Sequence, residues 1–136
     1  MTVNCRLHEK TWYNISLYLN IGSIHSKLTK AKFCAYSSSK AALSSLTKSL
    51  AIDFGHKFRI NAIEPGAIDT PMLRAGFSDD EYKIQELANY HPSGKISKVE
   101  EVAELVAILC TAKLNSMHGS CIDMSGGISG RLHDPG

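Results

Sequence analysis

The chain has 136 residues, 43% apolar and 21% charged, with a net charge of +2. That is the length and composition of one soluble globular domain. So small a charge, on lysines scattered singly, argues against nucleic acid or an anionic membrane surface as partner. The sequence shows no repeats, low-complexity segments or charged tails.

The start of the chain is the least legible part. Residues 7–13 have weak helical periodicity, and Asn14-Ile-Ser16 matches a glycosylation sequon. The opening residues lack the basic and apolar regions of a signal peptide, so the sequon is read as chance. The run 12–22 is too short to span a membrane. Cys5, Cys34, Cys110 and Cys121 show no Cys-x-x-Cys spacing, and the six histidines show no ligand spacing. No metal site is expected. As free thiols the cysteines fit a reducing compartment, hence a cytoplasmic location.

Residues 15–22 read as a strand, half apolar and rich in β-formers. Residues 23–32 are a polar loop with three lysines. A helix follows over 35–55. Leu43, Leu46, Leu50 and Phe54 give it one apolar stripe, and Gly55 is placed to stop it. Residues 58–63 form a second strand parallel to the first, and Pro65-Gly66 turns the chain sharply. A long excursion spans 71–95. Within it Ser78-Asp-Asp-Glu81 is a capping sequence for a helix over 79–90. Ser97 with Glu100 fits a capping box for a last helix ending near Ala112, with Val102, Leu105, Val106 and Leu109 on its apolar face. Residues 121–124 make a third strand closed by Gly126-Gly127, and 131–136 are a loose tail.

One cluster of residue types carries chemistry. Tyr36 and Lys40 are four positions apart, so they share a helix face one turn from each other. Ser23 ends the preceding strand. Open α/β sheets bind ligands at the carboxyl ends of their strands. A free phenol titrates near ~10, and a lysine cation one turn away favours the phenolate. Such a phenol can give a proton to a carbonyl oxygen or take one from an alcohol, while a serine hydroxyl fixes that oxygen. This suits hydride transfer, with the hydride supplied by a cofactor. Taken alone, the pair also reads as a half-buried ring beside a solvated lysine.

Ser23, Tyr36-x-x-x-Lys40, Pro65-Gly66-x-Ile68-x-Thr70 and Gly126-Gly127, in this order and spacing, resemble the short-chain dehydrogenase/reductase family. The likeness runs from about Leu19 to Gly127. It is closest to the bacterial-type 3-oxoacyl-carrier-protein reductases and small alcohol or sugar dehydrogenases. The resemblance implies an α/β fold, an incomplete Rossmann-like doubly wound parallel sheet made of the last three strands with their flanking helices. It implies an oxidoreductase using NAD or NADP on a small carbonyl or alcohol substrate. Tyr36 would be the catalytic acid/base. Lys40 would bind the nicotinamide ribose and tune Tyr36, and Ser23 would orient the carbonyl. Pro65, Gly66, Ile68 and Thr70 would line the nicotinamide.

Further expectations follow from the same likeness. The segment Thr2-Val-Asn4 is similar to the Val-Asn segment on the family's helix before the catalytic serine, which makes Asn4 a candidate fourth catalytic residue. The alternative is a surface asparagine. His25 is a candidate substrate contact, or else a solvated loop histidine. The 71–95 excursion would be a substrate lid, with Leu73, Phe77 and Leu87 as its lining; ordinary core packing explains those three equally well. The helix over 35–55 would pack against its mate, so the implied partner is a second copy.

The family's Gly-x-x-x-Gly-x-Gly turn and its Asn-Asn-Ala-Gly element do not occur in the sequence. Residues 1–136 therefore resemble one partial domain, the C-terminal half. The first strand is expected to be a bare edge, leaving the chain marginally stable or completed by another chain. Two functions compete: a reductase or dehydrogenase, and a truncated non-catalytic paralogue acting as an oligomerisation partner.

Overall fold

The computed structural model of the chain describes residues 1–5, 16–112 and 114–132. Residues 7–13, the Asn14 sequon and positions 133–136 of the tail lie outside them. The described elements are β1 (Thr2–Cys5), β2 (Ser16–Ile21), α1 (Cys34–Phe54), β3 (Phe58–Pro65), α2 (Pro71–Gly76), α3 (Glu81–Tyr90), α4 (Val99–Thr111) and β4 (Cys121–Met124). Single 3-10 turns lie at Ile24–Ser26 and Ile128–Gly130.

The strands form one sheet in the order β1-β2-β3-β4. Strands β2, β3 and β4 are parallel neighbours, as expected. The expected bare edge is not there. Strand β1 pairs antiparallel with β2, with Thr2 opposite Asn20 and Asn4 opposite Tyr18. The Thr-Val pair favours extended backbone, and alternation decides which side each residue serves. Val3 packs into the apolar core, while the Thr2 hydroxyl donates to Asn20 Oδ1 at 2.7 Å on the opposite face.

The two faces of the sheet differ. Leu17, Leu19 and Ile63 point to one face and close with Leu109 of α4 into the buried core. Leu105, Val106, Ile21, Ile122 and Met124 pack around them. The other face meets α1 through polar side chains. Lys40, Ser44 and Thr47 of α1 reach Ile21, Glu64 and Asn20 respectively. Both Ser44 and Thr47 are buried, whereas Leu46 is 49% exposed and Phe54 37%. The leucine stripe read from the sequence is thus not the face that α1 buries. Leu43, Leu46 and Leu50 instead flank an open groove with Thr2, Tyr18, Phe58 and Ile60. Small side chains let the helix approach the sheet closely, and the larger leucines are pushed to its flank.

The remaining elements differ in detail. Helix α2 lies in the excursion where no separate helix was expected. Helix α3 is capped by Asp80, whose carboxylate accepts from Tyr82 N and Lys83 N. Helix α4 begins one residue later than the expected box. Glu101, not Glu100, reaches back, its Oε2 accepting from Lys98 N at 2.7 Å. Cys34 and Cys121 are free thiols, whereas Cys110 is disulfide-bonded, against the expectation of free thiols throughout. No helix of the described residues is long and apolar enough to cross a membrane.

Candidate active site

Strand β2 ends at Ile21, and the chain turns at once. Gly22 N donates to Ile63 O at 2.8 Å, which ties the turn to β3. Ser23 is buried and starts the Ile24–Ser26 turn, its Oγ accepting from His25 N at 3.2 Å. Helix α1 opens beside this turn. Its Lys40 ammonium donates to Ile21 O at 3.0 Å, at the carboxyl end of β2. The same ammonium lies 5.6 Å from the Tyr36 ring centre. His25 meets Tyr36 edge to face, with ring centres 5.7 Å apart, and Phe33 touches both rings. Tyr36 keeps 43% of its surface exposed. The turn carrying Ser23 and the helix carrying Tyr36 and Lys40 therefore meet, with a tyrosine open to a ligand. His25 belongs to this cluster; its Nδ1 lies 3.0 Å from Leu28 O.

Beneath the cluster lies a charge. Glu64, the residue before Pro65 on β3, is 1% exposed. Its Oε1 accepts from Ser26 Oγ at 2.8 Å and from Ser44 Oγ at 2.6 Å. Its Oε2 pairs with Lys27 Nζ at 2.7 Å. Burial alone would push the Glu64 carboxyl up, but Lys27, Ser44 and Ser26 outweigh it and hold it below the usual carboxylate range.

The Pro65–Thr70 stretch leaves the sheet beside this site. Gly66 N continues the ladder to Met124 O. A side chain at Gly66 would stand 3.1 Å from Ser125 Cα and 3.2 Å from His91 Nε2. Packing within the chain therefore already favours a glycine there. Ile68 bridges to Ser97. Thr70 caps α2, its Oγ1 accepting from Leu73 N at 3.1 Å. Asp69 holds Arg74 through two bonds of 2.6 and 2.8 Å, and Arg74 also reaches Glu81. The paired guanidinium holds the Asp69 carboxyl below its usual range. His91 is buried behind the turn. Its Nε2 accepts from Ala67 N, and its Nδ1–H faces Leu87 O at 2.9 Å. Gly126 and Gly127, both left-handed, fold over residues 91–93.

The model of the enoyl-(acyl carrier protein) reductase family matches residues 5–129. The chain belongs to the short-chain dehydrogenase/reductase family. It is 36% identical to the carbonyl reductase (NADPH) 2 of Sus scrofa over 80% of this chain and 45% of that protein. It is 34% identical to the L-xylulose reductase of Homo sapiens over the same shares. The ligand-free aldohexose dehydrogenase of Thermoplasma acidophilum superposes with a TM-score of 0.83 at 33% identity, covering 90% of this chain and 52% of that one. The chain thus spans about half the length of these short-chain dehydrogenase/reductase proteins.

Not every expected site residue joins the cluster. Asn4 stands on β1 opposite Tyr18, an exposed strand residue rather than a helical one. Tyr18 lies three positions before Ile21, where β2 ends, roughly 10 Å at ~3.3 Å per residue. Two buried groups beside the family motifs escaped the sequence reading. Glu64 had a signal: one carboxylate in the otherwise uncharged stretch Ile60 to Pro65. His91 had none, because its partners Ala67 and Leu87 are brought to it only by the fold.

Proposed function

We propose that the chain supplies the catalytic and nicotinamide side of an NAD- or NADP-dependent oxidoreductase acting on a small carbonyl or alcohol. The observation that carries this is the convergence of the Ser23 turn with Tyr36 and Lys40 at the carboxyl end of β2. The donor set fits a nicotinamide riboside: one ammonium, one serine hydroxyl and an exposed tyrosine at a strand end. Lys40 would hold the ribose, with Pro65, Gly66, Ile68 and Thr70 along the ring. The cofactor, when bound, supplies or takes the hydride. Tyr36 Oη gives a proton to the carbonyl oxygen as charge develops there, or takes one from an alcohol. Ser23 Oγ donates to the same oxygen and fixes its direction. His25, flanking Tyr36, borders the substrate. Residues 71–95 serve as the lid over it.

A titration of the purified chain with NADPH and with NADH, followed by fluorescence, tests this. Saturation in the micromolar range is expected, with Tyr36→Phe retaining binding and losing turnover on keto substrates. No binding up to millimolar cofactor overturns it for this chain.

A second reading is favoured by one observation: β1 already occupies the edge of β2 where a further strand would add. On that reading the chain is an oligomerisation partner without turnover, docking through α1, whose Leu46 and Phe54 are exposed. Sedimentation showing a dimer, together with a blank cofactor titration, would favour it.

A further inference from the structure

Ser23, Tyr36 with Lys40, and Pro65 with Gly66 sit on three separate pieces of chain: the Ile24–Ser26 turn with its cap, α1, and the end of β3. Their relative placement has to be held by something. The Glu64 carboxylate touches all three. It belongs to β3 and adjoins Pro65. It accepts from Ser26, the last residue of the turn that Ser23 begins. It also accepts from Ser44, one helical turn after Lys40. Lys27, just past the turn, closes on its second oxygen.

The surroundings are shaped for this carboxylate. A side chain at Gly22 would come within 3.3 Å of Glu64 Cγ and 3.2 Å of Ile63 O. The Ser44 hydroxyl has Lys40 O within reach at 3.2 Å, yet its shorter contact is the 2.6 Å bond to Glu64. A buried charge costs stability unless it is paired and hydrogen-bonded. A hydrophobic residue of similar volume would fill the space without that requirement. The carboxylate is therefore suited to fixing geometry rather than to adding cohesion.

We propose that Glu64 is a positioning residue that locks the Ser23 turn to the Tyr36–Lys40 helix and to the Pro65–Gly66 turn. This rests on the hydride-transfer reading of Ser23, Tyr36 and Lys40, and its test is kept separate from cofactor binding. Lys27, with its side chain 55% exposed, closes the lock from the solvent side. Asp123 of β4 is a further carboxylate that favours the charged form of Lys27.

The test is amide hydrogen exchange and ring-proton nuclear Overhauser contacts in the full chain, comparing wild type with Glu64→Gln and with Ser26→Ala. Glu64→Gln keeps the volume and the acceptor oxygen but loses the ion pair. Ser26→Ala leaves the buried strand intact and decides the matter if Glu64→Gln fails to fold. In wild type, Ser26 N donates to Ser23 O, and Lys27 N and Leu28 N to Ile24 O. Those three amides are expected to exchange at least tenfold faster in the variants. The His25–Tyr36 ring contacts should fall by half or more, while Ala62 and Ile63 in the sheet stay within twofold of wild type. Where wild type turns over, kcat should fall about tenfold in Glu64→Gln, with KM for cofactor within twofold. Turn amides within twofold of wild type and unchanged ring contacts would overturn the proposal, whatever the cofactor titration shows. A blank titration with loosened turn amides would overturn the hydride-transfer reading and leave the lock standing.

Discussion

The two faces of this sheet are held by different physics. On the α4 face, Leu17, Leu19, Ile63 and Leu109 close into an apolar core without a charge. On the α1 face, Thr2, Asn20 and Thr47 form a chain of hydrogen bonds, and Glu64 joins Ser26, Ser44 and Lys27. Apolar contact is non-directional and scales with area. Hydrogen bonds add little net stability but fix distance and angle. The candidate site stands on the polar face, where geometry is specified, and the apolar face supplies cohesion.

That contrast can be broken by substitution. Leu19 is fully buried. Leu19→Ala should cost about 2–5 kcal/mol in urea denaturation, through lost transfer energy and the cavity left behind. A cost below that of a polar-face change would reverse the assignment of cohesion. On the other face, Thr47 Oγ1 accepts from Asn20 Nδ2 at 3.0 Å and donates to Leu43 O at 2.8 Å. Thr47→Val keeps the shape and strands the buried Asn20 amide. It should cost about 1–3 kcal/mol and disturb the His25–Tyr36 ring contacts, which Leu19→Ala should leave alone if the chain stays folded.

Acid sharpens the comparison further. The folded Glu64 carboxyl lies below its ordinary value, so its stabilisation is present in full above the unfolded pKa of about 4.3 and is lost as pH falls through the folded one. Other carboxylates, Asp69, Asp80, Glu101 and Asp123, are lowered too. The difference between wild type and Glu64→Gln isolates the Glu64 share. Urea midpoints measured between about pH 6 and pH 3 should fall more steeply in wild type; parallel slopes would mean that Glu64 contributes nothing to the acid limb. The smallest effect is expected on the outside of α1. Ile52 is 84% exposed, and Ile52→Ala should stay within about 0.5 kcal/mol. A larger loss that grows with protein concentration would show that this face is covered by a second copy.

Much of the framework was legible in the sequence. The strand ahead of Ser23, the helix of Tyr36 and Lys40, the strand before Pro65-Gly66 and the closing Cys121–Met124 strand all fall within a few residues of expectation. Periodicity and turn residues encode these locally. Family motifs then named the chemistry. The failures are of another kind. The leucine stripe of α1 satisfied helical periodicity, yet the buried face runs through Lys40, Ser44 and Thr47, because the sheet offers Ile21 O, Glu64 and Asn20 there. Thr2-Val-Asn4 matched a helical segment of the family, yet it pairs with β2, where an unpaired strand edge was available.

By itself the sequence determined the family, the α/β alternation and the candidate residues of the site, since local propensity and motif spacing are written along the chain. Tertiary structure alone decided the rest. It set β1 against the open edge and buried the small polar face of α1. It also gathered Ser26, Lys27 and Ser44 around the Glu64 carboxylate. These outcomes depend on which backbone and side-chain groups lie within about 3 Å of each other after folding. Separations of 18 to 38 residues along the chain leave no local pattern from which to read them.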